Sequence, residues 1–193
     1  MKNLLIVLGV IILIVLVGSC SYNGIVKKDV VVKAKWSNVQ SDYQRRSDLI
    51  PNLVATVKGV ANFEKSTMVE VTEARAKATS IQVDASKLDA DQIQKFQAAQ
   101  GQLSQALGRL LVASENYPQL KASENMTRLQ EELSSTENKI AFARQAYNDQ
   151  VLAYNTAQQT FPTVMFAQML GHKPADMYEV TDPNIRQAVK VSF

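Results

Sequence analysis

Cysteine and histidine are almost absent from this chain, and their scarcity excludes several kinds of protein. Its 193 residues contain one cysteine and one histidine, so an internal disulfide is impossible and a Cys/His zinc site lacks its ligands. His172 stands beyond the main helical segments, so the Glu-x-x-His pairs of a di-iron bundle are missing too. No hydroxyl has a histidine within the predicted bundle to activate it, and no glycine-rich phosphate loop occurs. The sequence therefore predicts no enzyme active site, no metal and no cofactor.

Glycine and proline are also scarce, with seven and five residues, while Ala, Gln, Leu and Val are abundant. This composition favours helices over strands. The 21 basic and 18 acidic side chains nearly balance, and no clustered basic patch of the kind that binds nucleic acid is indicated. With 46% hydrophobic residues, the chain has enough apolar material for one all-α domain with its own core.

The N-terminal end is one long apolar run, residues 4–17, interrupted only by Gly9. Extended to Cys20 it has about 17 residues, the lower limit for crossing a bilayer core of roughly 30 Å, and it also has the shape of a signal peptide. Residues 1–21 are therefore either an uncleaved single-pass membrane anchor or a lipoprotein signal. The second reading rests on the tetrapeptide that ends at Cys20, because it resembles a lipobox and would make Cys20 the lipidated residue. The lysines that follow favour a cytoplasmic domain, whereas a lipobox requires export, so the side of the membrane stays open.

Apolar residues recur every seven positions through the rest of the chain. The longest seam covers residues 124–161 and predicts a helix on the order of 55 Å long. Similar seams predict a first helix over residues 22–50 and a third that begins near Asp89 and stops before Pro118. Pro51 is expected to kink or restart the chain, so that a second helix follows it and continues to Arg75.

The four seams are best satisfied by an antiparallel up-and-down four-helix bundle over residues 22–170. Ser123 is the expected N-cap of the long helix, and Pro162 its expected end. Residues 163–171 predict a short C-terminal docking helix, and its segment 164–170 is a candidate for self-association. Residues 171–193 form a tail that ends with Val189, Val191 and Phe193 in alternation.

Five charged side chains fall on the otherwise apolar faces of these helices: Arg46, Glu64, Arg75, Glu137 and Arg144. Buried charges are tolerated in a bundle when they are matched, and they can fix helix register. We therefore expect at least one internal ion pair. The alternative is a binding or acid–base site, because desolvated charges shift in pKa.

Two Tyr-Asn steps stand seven residues apart in the long helix, at Tyr147-Asn148 and Tyr154-Asn155. Their spacing is that of core tyrosines with asparagine at the rim. The alternative interpretation is that Tyr147 and Tyr154 line a pocket.

Several motifs resemble those of the LemA family. They include RRSDLIPNLV at residues 45–54, YPQLKA at residues 117–122 and the paired Tyr-Asn steps, and the resemblance extends over about residues 22–170. It implies a bacterial membrane protein with a short N-terminal segment, an anchoring helix and a four-helix bundle, and it implies no established catalytic residues. The context of Cys20 departs from the commoner plain anchor.

These observations predict a non-enzymatic, membrane-tethered bundle that scaffolds or binds another protein of the bacterial envelope. Its expected location is the bacterial cell membrane, as a single-pass protein or, alternatively, as a lipid-anchored extracytoplasmic lipoprotein. The alternative function is a small-ligand receptor, or an accessory subunit of an envelope enzyme, that uses the interior polar groups.

Overall fold

The computed structural model of the chain describes residues 2–60, 63–85, 88–169 and 171–178. Every regular element in these ranges is an α-helix, which confirms the predicted all-α class. The helices are α1 (Lys2–Lys58), α2 (Lys65–Ser80), α3 (Ala90–Ser114), α4 (Pro118–Lys121), α5 (Glu124–Gln159) and α6 (Thr163–Met169). The predicted alternation at Val189, Val191 and Phe193 lies outside the described residues.

Helix α1 is continuous over 57 residues, which corresponds to about 85 Å. Its N-terminal part includes an 18-residue stretch with a mean hydropathy of 3.0, none of which is buried. By length and composition alone, this part is able to cross a membrane. The later part supplies the core at the predicted seven-residue spacing, through the buried side chains of Ile25, Val32, Trp36, Val39, Tyr43 and Ile50.

Pro51 lies inside α1 and does not end it, so the prediction of a helix restarting there is wrong. Proline has no backbone N–H, and the carbonyl of Ser47, one turn earlier, therefore loses its helical partner. Arg75 of α2 supplies another donor, because its Nε lies 2.8 Å from the Ser47 carbonyl oxygen. Helix α1 continues to Lys58, and the second helix begins only at Lys65.

Helix α5 matches its prediction closely. It begins after Ser123, whose Oγ accepts a hydrogen bond from the backbone N of Met126 at 3.4 Å. It ends at Gln159, two residues before the predicted end, and Phe161 is 80% exposed and not part of the buried seam. The other residues of the seven-residue seam are buried: Met126, Leu133, Ile140, Tyr147 and Tyr154.

The long helices pack mainly in two pairs, α1 with α5 and α2 with α3. Trp36 contacts Tyr147 and Arg46 contacts Glu137, so α1 and α5 run in opposite directions. Further contacts join α2 to α1, α6 to α1 and α5, and α4 to α5.

The core consists of two apolar clusters that follow one another along the helices. The proximal cluster, nearer the apolar N-terminal part of α1, includes Trp36, Phe96 and Tyr147. The distal cluster includes Leu53, Val71, Ala78, Leu103 and Met126. Buried residues of α2 occur only in the distal cluster, whereas the proximal cluster includes Val83 and Tyr178 from non-helical segments. The proximal half of the core therefore depends on two extended segments as well as on helices.

Candidate functional site

Arg46 is the most deeply buried charged residue in the described part of the chain, at 1% exposure. It stands in α1 between the residues of the two clusters. Its Nη1 donates to Glu137 Oε1 and to Ser104 Oγ, each at 2.8 Å. Its Nη2 donates to Gln100 Oε1 at 2.6 Å and to the Gln100 carbonyl at 3.2 Å. A buried cation that is matched in this way fixes the register of α1 against α3 and α5.

The two glutamates assigned to the interior differ in position. Glu137 pairs with Arg46 while 48% of its side chain remains exposed, so this ion pair reaches from the core to the surface. Glu64 is exposed in the connection before α2 and accepts a hydrogen bond from Ser66 at 2.9 Å. It lies there because the second helix begins at Lys65 and does not include it.

The two remaining arginines each contact one group of a neighbouring segment. Arg75 donates to the carbonyl of Ser47, as described above. The guanidinium carbon of Arg144 lies 4.3 Å from the centroid of the Tyr178 ring, a distance typical of a cation–π contact. Of the five predicted residues, the structure thus pairs Arg46 with Glu137 and gives the other three separate partners.

Residues 172–178, which we call the strap, run along α5 without helical structure. Asn155 donates to the carbonyl of Ala175 and accepts from the N–H of the same residue, both at 2.9 Å. Asn148 binds Tyr178 in the same manner, at 3.0 Å to its carbonyl and 2.8 Å to its N–H. The asparagines of the two Tyr-Asn steps therefore hold the backbone of the strap. Sequence reasoning missed this role, although the seven-residue repeat of the step was its signal.

The side chain of Tyr178 fills a pocket in the proximal cluster and is 5% exposed. Its hydroxyl lies 2.6 Å from that of Tyr43, and the two rings are stacked with centroids 6.4 Å apart. The ring of Trp36 also faces Tyr178, at 6.3 Å. Burial raises the pKa of Tyr178 and of Tyr43 above the ordinary value, so both phenols are neutral at physiological pH.

Tyr147 and Tyr154 lie beneath the strap. The Tyr147 hydroxyl donates to the Asp176 carbonyl at 2.8 Å, and its ring packs edge-on against Trp36. The Tyr154 hydroxyl lies 3.5 Å from Nδ1 of His172. Burial is the main cause that raises the pKa of both phenols. The two tyrosines therefore combine core packing with hydrogen bonds to the strap.

A cavity of about 750 Å³, bordered by Tyr43 and Gln100, opens beside α1, α3 and the segment after α2. Its lining is rich in amides and hydroxyls, including Gln40, Gln44, Ser47 and Gln100. Ser47 is 2% exposed, and its Oγ has no hydrogen-bond partner among the described residues. An unpaired buried hydroxyl is costly unless a bound group or water satisfies it.

The apolar end of α1 meets α6. Gly18 faces the ring of Phe166 so closely that a Cβ there would lie 3.1 Å from Phe166 Cε1. Cys20 is exposed near this contact, and its lipidation stays a prediction. Among the described residues, no group of three or more His, Cys, Asp or Glu side chains is placed to hold a metal ion.

Known proteins match most of this chain. A model of the LemA family matches residues 35–193. Protein LemA of Metamycoplasma hominis is 29% identical over 144 residues, which cover 75% of this chain and 60% of that protein. Magnetosome protein MamQ of Magnetospirillum gryphiswaldense is 26% identical over 174 residues, or 81% of this chain and 64% of that protein. The chain thus spans about 60 to 64% of the length of these relatives.

Proposed function

This chain belongs to the LemA family, and from that premise we propose that it is a membrane-tethered, non-enzymatic bundle that scaffolds or binds another protein of the bacterial envelope. The observation that carries the proposal is the continuity of α1. One helix contains both the exposed apolar part and the buried wall of the core. Such a helix holds the folded domain at a fixed height above the membrane.

The bundle in this proposal is of the up-and-down type and is formed by α1, α2, α3 and α5. The antiparallel contacts of α1 with α5 support it. So does the bond between Arg109 of α3 and Glu70 of α2 (Nε to Oε2, 3.0 Å), because it joins the later part of α3 to the earlier part of α2. The Arg46 contacts with Gln100 and Glu137 support a common core for the two helix pairs.

Helix α6 adds a second membrane contact in this proposal. It packs beside Gly18, at the end of the apolar part of α1. It and the preceding turn expose large apolar side chains: Phe161 at 80%, Met165 at 61% and Met169 at 85%. Exposed apolar groups next to a membrane-crossing helix lose their contact with water when they enter the headgroup region.

The surface around Phe142 is the face that we assign to the protein partner. Phe142 projects from α5 and is 76% exposed. It borders a shallow depression that includes Lys35, Arg45 and Lys139 together with Asp42. Aromatic and arginine side chains are enriched at protein interfaces, so this face fits a partner that presents an apolar group beside carboxylates.

The proposal is tested by chemical cross-linking in native membranes followed by affinity capture of the full chain. We expect one protein species to be captured by the native chain and by L152E, and to be lost with F142E. Leu152 is a matched control because it is an exposed apolar residue of the same helix. Recovery of nothing above an anchor-only segment would refute the scaffold function.

The mode of attachment is tested separately, by the intact mass of protein purified from native membranes. A mass equal to the full chain supports the uncleaved anchor. A mass equal to residues 20–193 plus diacylglycerol, with or without a further acyl chain, supports lipidation of Cys20 and contradicts the single-pass anchor.

A second candidate function is that of a small-ligand receptor, and the cavity beside Ser47 favours it. The ligand class that fits is a small polar molecule, because glutamine side chains and Ser47 line the cavity. A ligand that binds only the folded state must raise the melting temperature. In a thermal-shift screen we expect a hit whose shift is reduced in S47A and unchanged in S66A, since Ser66 is exposed near the other end of α2.

A further inference from the structure

The spacing of Asn148 and Asn155 matches the repeat of an extended peptide. Seven residues of α-helix advance about 10.5 Å, and three residues of extended chain advance about 10 Å. Asn155 binds Ala175 and Asn148 binds Tyr178. The two asparagines therefore bind positions three residues apart on a segment that runs antiparallel to α5. Among the described residues, the side chain of each asparagine hydrogen-bonds the backbone N–H and C=O of its residue and not its side chain. This mode of recognition resembles the addition of a strand to a sheet edge, in which backbone bonds give affinity and side-chain pockets give selectivity.

Selectivity comes from the pocket of Tyr178. The pocket supplies a hydroxyl partner through Tyr43 at 2.6 Å, a cation over the ring through Arg144 and an aromatic wall through Trp36. Ala175 is half-buried, whereas Lys173 and Pro174 are exposed. The α5 face around Asn148 and Asn155, which we call the groove, therefore selects an extended segment in which a small residue stands three positions before a tyrosine.

The strap reaches this groove through contacts that do not depend on its belonging to the same chain. It follows Gly171, which has a φ of +74°, a conformation that glycine adopts without strain. The contacts of the strap with α1 and α5 are hydrogen bonds and ring packing, so the corresponding residues of another copy would make the same contacts there. Anchoring by α1 would place such copies in one membrane and so raise their local concentration. This is needed because the chain's own strap has a high effective concentration at its own groove.

We propose that the α5 face around Asn148 and Asn155 is a peptide-binding groove that accepts residues 172–178 of a second copy of this chain. The closed form in the structure is then one of two arrangements. In the other, straps are exchanged between neighbouring copies on the same membrane. This proposal does not depend on the partner assigned to the Phe142 face, since it concerns a different surface of α5.

The test mixes two full-length variants that are each defective in one half of the interaction. The groove variant N148A/N155A keeps an intact strap, and the strap variant Y178A keeps an intact groove that its own strap no longer fills. The two carry different affinity tags and are solubilised separately in detergent. We expect capture of one to recover the other roughly tenfold or more above either variant mixed with a differently tagged copy of itself.

The control replaces the groove variant with N138A, in which an exposed asparagine of the same helix is removed. Its own strap occupies its own groove, so we expect less capture of the Y178A chain than with N148A/N155A. Equal capture in all mixtures, or none, would overturn the proposal.

Circular dichroism checks that both variants are folded. Should N148A/N155A not fold, fluorescence anisotropy of a labelled peptide of residues 172–178 decides the question. Tighter binding to Y178A than to the native chain is expected, and no binding to either overturns the proposal.

Discussion

The bond between Arg75 and the Ser47 carbonyl predicts an energetic coupling between Arg75 and Pro51. Pro51 removes the N–H that would normally bond this carbonyl, and Arg75 Nε replaces it at 2.8 Å. In the variant R75M, the carbonyl loses a charged donor while the apolar stem of the side chain is kept. If P51A is introduced as well, the backbone N–H returns and the carbonyl is satisfied again.

The expected magnitudes follow from the bonds involved. A hydrogen bond to a charged group contributes about 1.5–3 kcal/mol, and because Arg75 is only partly buried we expect R75M to cost about 2 kcal/mol. For a chain of this size this lowers the melting temperature by about 4–8 °C. In the P51A background, the same substitution is expected to cost about 1 kcal/mol less, because the restored N–H leaves no orphaned carbonyl.

Thermal unfolding of the full chain in detergent, followed by far-UV circular dichroism, measures all four variants of this double-mutant cycle. R109M is the matched control, since Arg109 is an exposed arginine that pairs with Glu70 and has no contact with the proline. We expect it to cost less than about 1 kcal/mol and to show no coupling to P51A. Equal costs of R75M in the two backgrounds would refute the reasoning.

Three further predictions concern the core. R46M is expected to cost about 3–5 kcal/mol in urea unfolding, because it leaves interior polar groups unpaired, while E137Q costs about 1 kcal/mol or less, because Glu137 is half exposed. Burial raises the pKa of Tyr43 and Tyr178 above about 10. The neutral phenols therefore stabilise the folded state fully below pH about 10, and this stabilisation is lost as the pH rises through the pKa of the folded state. The loss is at most about 1.4 kcal/mol per pH unit for each tyrosine. Alkaline unfolding should therefore shift to higher pH in Y43F, and an unchanged profile would contradict this. Trp36, the single tryptophan, is fully buried beside Tyr178, so Y178A should shift its fluorescence to the red, and unchanged emission would mean that the strap does not cover it.

Much of the fold could be predicted from the sequence, because a helix buries residues at intervals set by its own geometry. The seven-residue spacing gave the buried residues of α1, α3 and α5, and Ser123 and Pro118 marked helix boundaries. Which residues of a helix are buried depends on the period of that helix and on the presence of any apolar neighbour, so the sequence of the helix alone predicts them.

The errors fell where one segment depends on a distant one. Pro51 is a helix breaker by its own chemistry, but α1 continues through it. The carbonyl that Pro51 leaves without a helical partner is bonded by Arg75, 28 residues further along the chain. Glu64 has the spacing of an interior residue only if one helix continues over residues 54–75, whereas α1 ends at Lys58 and α2 begins at Lys65. The short helix α4 gave no periodic signal because it has four residues.

By itself the sequence determined the helical class, the apolar N-terminal run and the faces that the long helices bury, since each of these follows from local spacing and composition. Only the tertiary structure decided which charges meet and what the Tyr-Asn steps do. Arg46 and Glu137 are 91 residues apart in sequence, and Asn148 and Tyr178 are 30 apart. Contacts at such separations arise from the way whole helices pack, and no local pattern records them.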